Sequence, residues 1–317
     1  MESLKGLLIF LVVLGHFLEP FLTRPEIARL YKFIYAFHMP AFVFLSGLFA
    51  RAASTSEAWR MVKPLLLIFL TFAIAYECVH YLLFREMSQY AHQLAPYWIL
   101  WYLVSLACWR LVAPTVRALP YAVVSVTVFS LAVLSTPFVG YPFSLARTFT
   151  FLPFFVVGIL YGNDLLRLGA CGRFPTFIAG ALLMLLVFWT SQMFSFQLLW
   201  GSVSLVRLSP DLSQSLLERV VLYGVSFAGI VALLWIVNIA LPVLSRWGAN
   251  SLSVYAWHGL VVMVVKARFS PDASSMSAVE LIGILAVVSA CLCFIFSSYQ
   301  VTRMMTALFY SKSKPMP

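Results

Sequence analysis

The amino-acid sequence predicts an all-α, polytopic transmembrane helical protein with about ten transmembrane helices. Of its 317 residues, 62% are hydrophobic and 10% are charged, whereas soluble domains carry about 25% charged residues. The hydrophobic residues form continuous runs of roughly 17–25 residues, which is the length that a helix needs to cross a bilayer. A membrane β-barrel would instead show short segments of alternating hydrophobicity.

The predicted spans follow one another along the chain and are joined by short loops rich in proline, arginine and polar residues. They lie near residues 4–22, 33–50, 62–84, 97–113, 119–137, 149–163, 174–193, 218–241, 249–267 and 279–300. The first run begins like a signal peptide, but no small-residue cleavage site follows it, which favours a retained helix. The longest loop, 194–217, is amphipathic and is predicted to lie along the membrane interface. We expect one membrane domain over residues 1–303 and a short basic cytoplasmic tail over 304–317.

The basic residues indicate an orientation in the membrane rather than a nucleic-acid site. The formal charge is +10, with 21 Lys and Arg against 11 Asp and Glu, but the basic residues are scattered through short loops without a dense patch. Their slight excess on the side of the N-terminus favours both termini in the cytoplasm. The expected location is a bacterial cytoplasmic (inner) membrane, with the lipid bilayer as a partner and no nucleic acid.

The first span carries an ionisable stripe that points to chemistry. Ionisable groups inside a bilayer are costly and usually mark a pathway or a reaction. Lys5 and His16 stand eleven residues apart, so they share a helix face with a rise of about 16 Å between them. His16 and Glu19 are three residues apart and adjacent on the helix. An imidazole beside a carboxylate can act as a general base or carry an acyl group itself. The alternative for His16 is a structural hydrogen bond to a neighbouring helix.

Further ionisable groups are expected at similar depths in other spans. His38 begins the second span in the sequence Phe-His-Met-Pro, and it completes the candidate catalytic set with His16 and Glu19. Glu77 and His80 are adjacent on the third span; they either support that set or simply hold two helices together. His258 lies in the middle of the ninth span and is a further candidate for support. We expect no metal site, because no cluster has the spacing of metal ligands.

A basic entrance is predicted at the cytoplasmic side. Lys5 begins the first span, Arg51 ends the second, and Arg60 lies in the loop that follows. These side chains are either interface anchors or a binding site for phosphate groups. Their joint placement on the cytoplasmic side of the predicted imidazoles strengthens the case for phosphate binding, and both interpretations stay open.

Four stretches of the sequence together resemble the acyltransferase-3 family of integral membrane acyltransferases, in its fucose 4-O-acetylase-like branch. They are residues 5–16 (KGLLIFLVVLGH), 33–47 (FIYAFHMPAFVFLSG), 101–103 (WYL) and 247–258 (WGANSLSVYAWH). The resemblance implies a ten-helix O-acyltransferase that takes an acyl group, usually acetyl, from a cytoplasmic coenzyme A thioester. The acceptor would be a hydroxyl of a cell-envelope carbohydrate or glycolipid. Acetyl-CoA is thus expected as a substrate, and no bound cofactor is expected.

The resemblance also assigns roles to individual residues. His16 matches the family's catalytic histidine, Lys5 its basic partner, and His38 the histidine of its second motif; Arg51 matches the basic residues after the second helix only roughly. Whether the acyl group rests on His16 or passes directly to the acceptor stays open, as do the identities of the acyl group and the acceptor. A partner protein or an oligomer is compatible with this reading.

Two other classes of function compete with the enzyme. A secondary transporter or flippase for an envelope precursor would use the same histidines as a proton relay, although no internal repeat of the kind found in many transporters is visible. A non-catalytic membrane subunit would need His16 only for its stability.

Overall fold

The computed structural model describes residues 1–50, 54–168, 173–237, 241–268 and 276–310. Within these ranges the chain is helical and contains no β-strand. Its α-helices, in chain order, are α1 Glu2–Leu18, α2 Pro25–Leu48, α3 Thr55–Phe84, α4 Gln89–His92, α5 Trp101–Ala118, α6 Ala122–Leu134, α7 Leu145–Leu168, α8 Arg173–Ser191, α9 Phe196–Trp200, α10 Leu212–Ile236, α11 Pro242–Ala249, α12 Ser251–Arg268, α13 Ala278–Phe296 and α14 Tyr299–Phe309. The all-α prediction is therefore confirmed.

Each of the ten predicted spans contains a helix, but their lengths differ. Six helices of the described ranges are long and apolar enough to cross a membrane, and a seventh arises if α11 and α12, bent by 81°, form one broken span. The six are α1 with its extension to Phe21, α3, α7 with the turn before it, α8, α10 and α13. The polytopic membrane class is confirmed, and the count of ten stays a prediction.

The ends of the predicted domain and the long loop also have defined structure. Helix α14 runs across the proposed boundary between residues 303 and 304, and residues 311–317 of the predicted tail lie outside the described residues. The loop 194–217 contains α9, and its Leu198, Leu199 and Leu205 are buried within the protein. These leucines therefore contribute to packing.

The chain divides into two compact units. Unit 1 comprises Met1–Ile34, Leu70–Ser88 and Ile239–Pro317, and unit 2 comprises Tyr35–Phe69 and Gln89–Asn238. The division falls inside α2 and α3, so each of these helices contributes to both units. His16, Glu19, Glu77, His80 and His258 belong to unit 1, and His38 and Arg60 belong to unit 2.

In unit 1, the first helix is fixed by close backbone packing. Helix α1 packs along α11 and also contacts α12 and α13. Gly6 and Gly248 have no Cβ atom, and there is no room for one. A Cβ atom added to Gly6 would overlap the carbonyl group of Leu244, and one added to Gly248 would overlap the carbonyl group of Glu2. The hydroxyl groups of Ser3 and Ser245 lie 2.7 Å apart at the same crossing. This contact sets the position from which α1 carries His16 towards α12.

In unit 2, α2 runs parallel to two of its neighbours. Its contacts with α7 advance together along both helices, because Gly158 packs on Phe44 and Gly162 packs on Leu48. Helix α10 contacts α2 where Ser226 donates a hydrogen bond to the carbonyl oxygen of Ala36 at 2.6 Å. Its direction follows from α7: Thr150, early in α7, donates to the carbonyl oxygen of Gly201, which precedes α10, at 3.4 Å, and Phe154, one turn later, packs on Tyr223 of α10. The N-terminal ends of α7 and α10 and Tyr35 of α2 therefore lie towards one end of the unit.

Candidate active site

Three side chains of unit 1 form a hydrogen-bonded chain at the end of α1. The helix ends at Leu18, and a 3-10 turn over Glu19–Phe21 follows it. His16 Nδ1–H donates to Glu19 Oε1 at 2.7 Å. The Lys266 ammonium group, from the last turn of α12, donates to Glu19 Oε2 at 2.5 Å. One carboxylate thus binds an imidazole with one oxygen and a cation with the other.

The chain of His16, Glu19 and Lys266 is only partly accessible to solvent. The exposed fractions of these side chains are 13%, 19% and 30%, respectively. Screening by water is weak at such a site, so the interactions between the charged groups are stronger than at an open surface. The predicted pairing of His16 with Glu19 has the geometry expected from their spacing.

The geometry defines the tautomer of His16. A carboxylate can only accept a hydrogen bond, so the imidazole carries its hydrogen on Nδ1 and its lone pair on Nε2. A lone pair on Nε2 is what a general base or a nucleophile requires. Glu19 also stabilises the positive charge that the ring gains when it takes up a proton or an acyl group.

A second imidazole lies next to the first. The ring centroids of His16 and His258 are 5.5 Å apart, with the planes tilted by 30°. His258 is completely buried, and its Nδ1–H donates to the carbonyl oxygen of Val254 at 3.0 Å. Its Nε2 therefore holds the lone pair, and this atom has no hydrogen-bond partner among the residues that the structure describes. The sequence-based choice of His258 as a supporting residue thus falls beside the candidate catalytic histidine.

The second half of α3 buttresses α12 around His258. The Tyr76 hydroxyl group donates to the carbonyl oxygen of Ala256 at 3.4 Å, and the ring of Phe72 packs edge-on against Trp257 with centroids 5.1 Å apart. These contacts hold the helix turn that carries His258.

The other predicted supporting residues of unit 1 make local contacts. The carboxylate of Glu77 accepts hydrogen bonds from the amide and hydroxyl groups of Ser88, at 2.8 and 2.6 Å. The ring of His80 lies 4.7 Å from that of Phe84. The hydrogen bonds of Glu77 fasten the turn that follows α3, and a supporting role for Glu77 or His80 stays a prediction.

The predicted basic entrance is described in part. Lys5 donates to Glu2 Oε1 at 3.2 Å on the same helix, and α1 is continuous from Lys5 to His16. Arg60 is exposed in the first part of α3, in unit 2. Arg51 lies outside the described residues, so its proposed role rests on the sequence alone.

His38 is buried in unit 2. Only 2% of its surface is exposed, and the ring of Tyr35, one turn earlier on α2, packs against it at an angle of 65° with centroids 4.6 Å apart. The histidine that begins the second predicted span is thus enclosed by protein.

The four stretches that carry the family resemblance meet in pairs. In unit 1, stretch 5–16 contacts stretch 247–258 through the pair of His16 and His258 and through stacked rings of Phe10 and Trp247, whose centroids are 6.1 Å apart. In unit 2, stretch 33–47 contacts stretch 101–103 through a hydrogen bond of 2.5 Å between the hydroxyl groups of Ser46 and Tyr102. In each unit, two stretches that are far apart in the sequence are thus neighbours in the fold.

Lys266 is a site residue that the sequence patterns do not identify. In the sequence it resembles the other loop charges that set topology, and its bond to Glu19 joins positions 247 residues apart. One signal was available: Lys266 follows His258 by two helical turns at the end of an apolar run, where a cation can reach groups at the same depth.

Comparisons with known proteins give one match. A family model for acyltransferase-3 proteins, described as an acyltransferase domain, matches residues 1–299. No curated protein and no solved structure matches the chain. The matched region includes all four stretches and every site residue discussed above.

Proposed function

Since its residues 1–299 match the family model, the chain belongs to the acyltransferase-3 family and is a membrane acyltransferase, and we propose that it is an O-acetyltransferase. In this proposal it transfers an acetyl group from acetyl-CoA to a hydroxyl group of a cell-envelope carbohydrate or glycolipid, and so modifies a polysaccharide or its precursor. The hydrogen-bonded chain of His16, Glu19 and Lys266 carries the proposal, because it presents an oriented imidazole.

In the direct route, His16 acts as a general base. Its Nε2 takes the proton from the acceptor hydroxyl while the hydroxyl oxygen attacks the thioester carbonyl carbon. The carbon–sulfur bond breaks, the coenzyme A thiolate leaves, and the imidazolium returns the proton to the sulfur. Glu19 stabilises the imidazolium between these two proton transfers.

In the covalent route, the same nitrogen is the nucleophile. Nε2 of His16 attacks the thioester carbonyl carbon, the thiolate leaves, and an acyl-imidazole forms. The acceptor oxygen then attacks this intermediate, its proton is released, and the His16–acyl bond breaks. Both routes need the Nδ1–H of His16 to point at Glu19, so the geometry supports either of them.

The remaining residues bind and position. We place Lys5, Arg51 and Arg60 on the phosphates of the donor, which cationic side chains bind well, and His38 and His258 as assisting groups. Lys266 is a positioning residue, because it acts through Glu19. The protein would lie in the bacterial cytoplasmic membrane with both termini in the cytoplasm, so that the donor reaches His16 from that side.

The test uses full-length protein in nanodiscs with radiolabelled acetyl-CoA. Thioester cleavage and label bound to the protein are followed in the wild type, in His16→Ala and in the matched control His92→Ala, which changes an exposed histidine of α4. We expect cleavage to persist in the control and to fall by a factor of about 100 or more in His16→Ala. A folded His16→Ala variant that cleaves at the wild-type rate would refute the proposal.

Two further readouts separate the open alternatives. Label that stays on His16 after denaturation indicates the covalent route, and label that appears only in the acceptor indicates direct transfer. Adding an envelope glycolipid extract and following base-labile label in the lipid tests the acceptor class. Movement of labelled glycolipid across the bilayer without any acyl-CoA would favour the transporter, which no observation so far supports.

A further inference from the structure

Unit 2 contains a buried arginine that has no counter-charge among the residues that the structure describes. Arg219 lies on α10 with only 1% of its surface exposed, and its Nε and Nη2 atoms have no hydrogen-bond partner among the described residues. No carboxylate of the described ranges forms an ion pair with it. An unpaired charge inside a protein is strongly unfavourable, and arginine stays protonated in proteins. A buried arginine of this kind is therefore expected to bind an anionic partner.

Two hydroxyl groups on the same helix face share this property. Ser215 and Tyr223 stand four residues before and four residues after Arg219, which places their side chains next to it along α10. Both hydroxyl oxygens are buried and have no hydrogen-bond partner within the described part of the chain. Buried polar groups are nearly always paired in folded proteins, so three such neighbouring groups indicate a binding site better than one would.

The position of the cluster favours the acceptor over the donor. Helices α2 and α10 run parallel, and Arg219 precedes the contact of Ser226 with Ala36 by two turns, about 10 Å. The cluster therefore lies towards the N-terminal end of α10. Arg60, the candidate for donor phosphates in this unit, follows the C-terminal end of α2. Within unit 2, the two cationic sites lie towards opposite ends.

From this arrangement we infer that Ser215, Arg219 and Tyr223 bind an oxyanion, a carboxylate or phosphate group, that is part of the acceptor. The planar guanidinium group offers parallel donors that match a carboxylate or phosphate, and the two hydroxyl groups can add one hydrogen bond each. A neutral sugar would leave the buried charge uncompensated. The assignment to the acceptor rests on the proposed function, and the anion site itself does not.

The test measures anion binding without any acyl-CoA. The melting temperature of the full-length protein in phosphatidylcholine nanodiscs is recorded with inorganic phosphate, with glucuronate and with glucose, at constant ionic strength. We expect phosphate and glucuronate to raise the melting temperature and glucose to leave it unchanged. The shift should vanish in Arg219→Met and persist in the matched control Arg207→Met, which changes an exposed arginine.

The melting temperature of Arg219→Met without any added anion is a second test. Replacing an unpaired buried charge by an apolar side chain of similar volume usually leaves stability unchanged or raises it. The melting temperature of Arg219→Met without anions should therefore equal or exceed that of the wild type. If Arg219→Met does not fold, Arg219→Lys and Tyr223→Phe are measured instead, and each should raise the half-saturating glucuronate concentration by about tenfold.

The other possible outcomes show which part of the inference fails. Absence of any anion effect on the wild type, or a full effect on Arg219→Met, overturns the site. Coenzyme A or phosphatidylglycerol that stabilises the protein through Arg219, with no effect of glucuronate, overturns the assignment to the acceptor. If the wild type binds glucuronate but never cleaves acetyl-CoA, the proposed function fails while the anion site stands.

Discussion

The ammonium nitrogen of Lys266 and a carboxylate oxygen of Glu19 lie 2.5 Å apart, although 247 residues separate the two positions in the chain. The other oxygen of that carboxylate accepts the hydrogen bond from His16. Lys266 therefore reaches the imidazole through Glu19. This relationship yields predictions that distinguish a positioning residue from a residue that contacts the substrate.

Replacing Lys266 by methionine should lower the rate more than it weakens donor binding. Glu19 loses the group that holds its second oxygen, so His16 is less well oriented. We expect kcat for acetyl-CoA cleavage to fall by a factor of about 5 to 150, equivalent to ~1–3 kcal/mol, with KM nearly unchanged. Arg268→Met, which changes an exposed cation on the same helix, is the control. A pure rise in KM in Lys266→Met would instead place Lys266 on the donor.

Glu19 and Lys266 should be energetically coupled. Glu19→Gln keeps an acceptor oxygen for His16 but leaves the ammonium group of Lys266 without its counter-charge, so this variant should lose both stability and activity. In the double variant Glu19→Gln/Lys266→Met the uncompensated cation is gone. We expect an interaction free energy of about 0.5–3 kcal/mol from a cycle of the two single variants and the double variant. Strictly additive effects on unfolding and on kcat would show that the two residues act independently.

The crossing of α1 and α11 should not tolerate a methyl group. In Gly6→Ala the new Cβ atom would overlap the carbonyl group of Leu244, so one helix must move. We expect a loss of about 1–3 kcal/mol in unfolding free energy, measured by thermal unfolding in detergent. No neighbouring group in the described part of the chain lies within 4 Å of a Cβ atom placed on Gly283 of α13, and Gly283→Ala should be neutral or stabilising by up to about 1 kcal/mol. Equal stability of both variants would contradict the close packing.

The hydrogen bond between Tyr102 and Ser46 should stabilise unit 2. The Ser46 hydroxyl group donates to the carbonyl oxygen of Phe42 at 2.9 Å, so Tyr102 donates to Ser46. Tyr102→Phe removes this donor and keeps the ring that packs against Phe42. We expect a loss of about 0.5–1.5 kcal/mol in unfolding free energy. The same loss should not recur when Tyr102→Phe is made in a Ser46→Ala background, and a full second loss would show that Tyr102 acts through its ring contacts.

Local spacing in the sequence predicted the first part of the site. Lys5, His16 and Glu19 lie on one helix and its terminal turn, where residues three or four apart are neighbours regardless of the rest of the fold. The hydrophobic runs likewise indicated helices at each of the ten positions, since a bilayer requires internally hydrogen-bonded segments. The positions of His38 and His258 within predicted spans made them candidates, and the family resemblance supported His38.

The sequence by itself thus determined the helical membrane class, the stripe of Lys5 and His16, and the pairing of His16 with Glu19. Only the tertiary structure brought Lys266 to Glu19 and His258 to His16, and only it buried Arg219, which the sequence presents as another loop charge. The physical reason is the distance along the chain over which each effect acts. Helical periodicity acts over three or four residues, whereas these contacts depend on how close backbone crossings, such as that at Gly6, arrange distant helices in space.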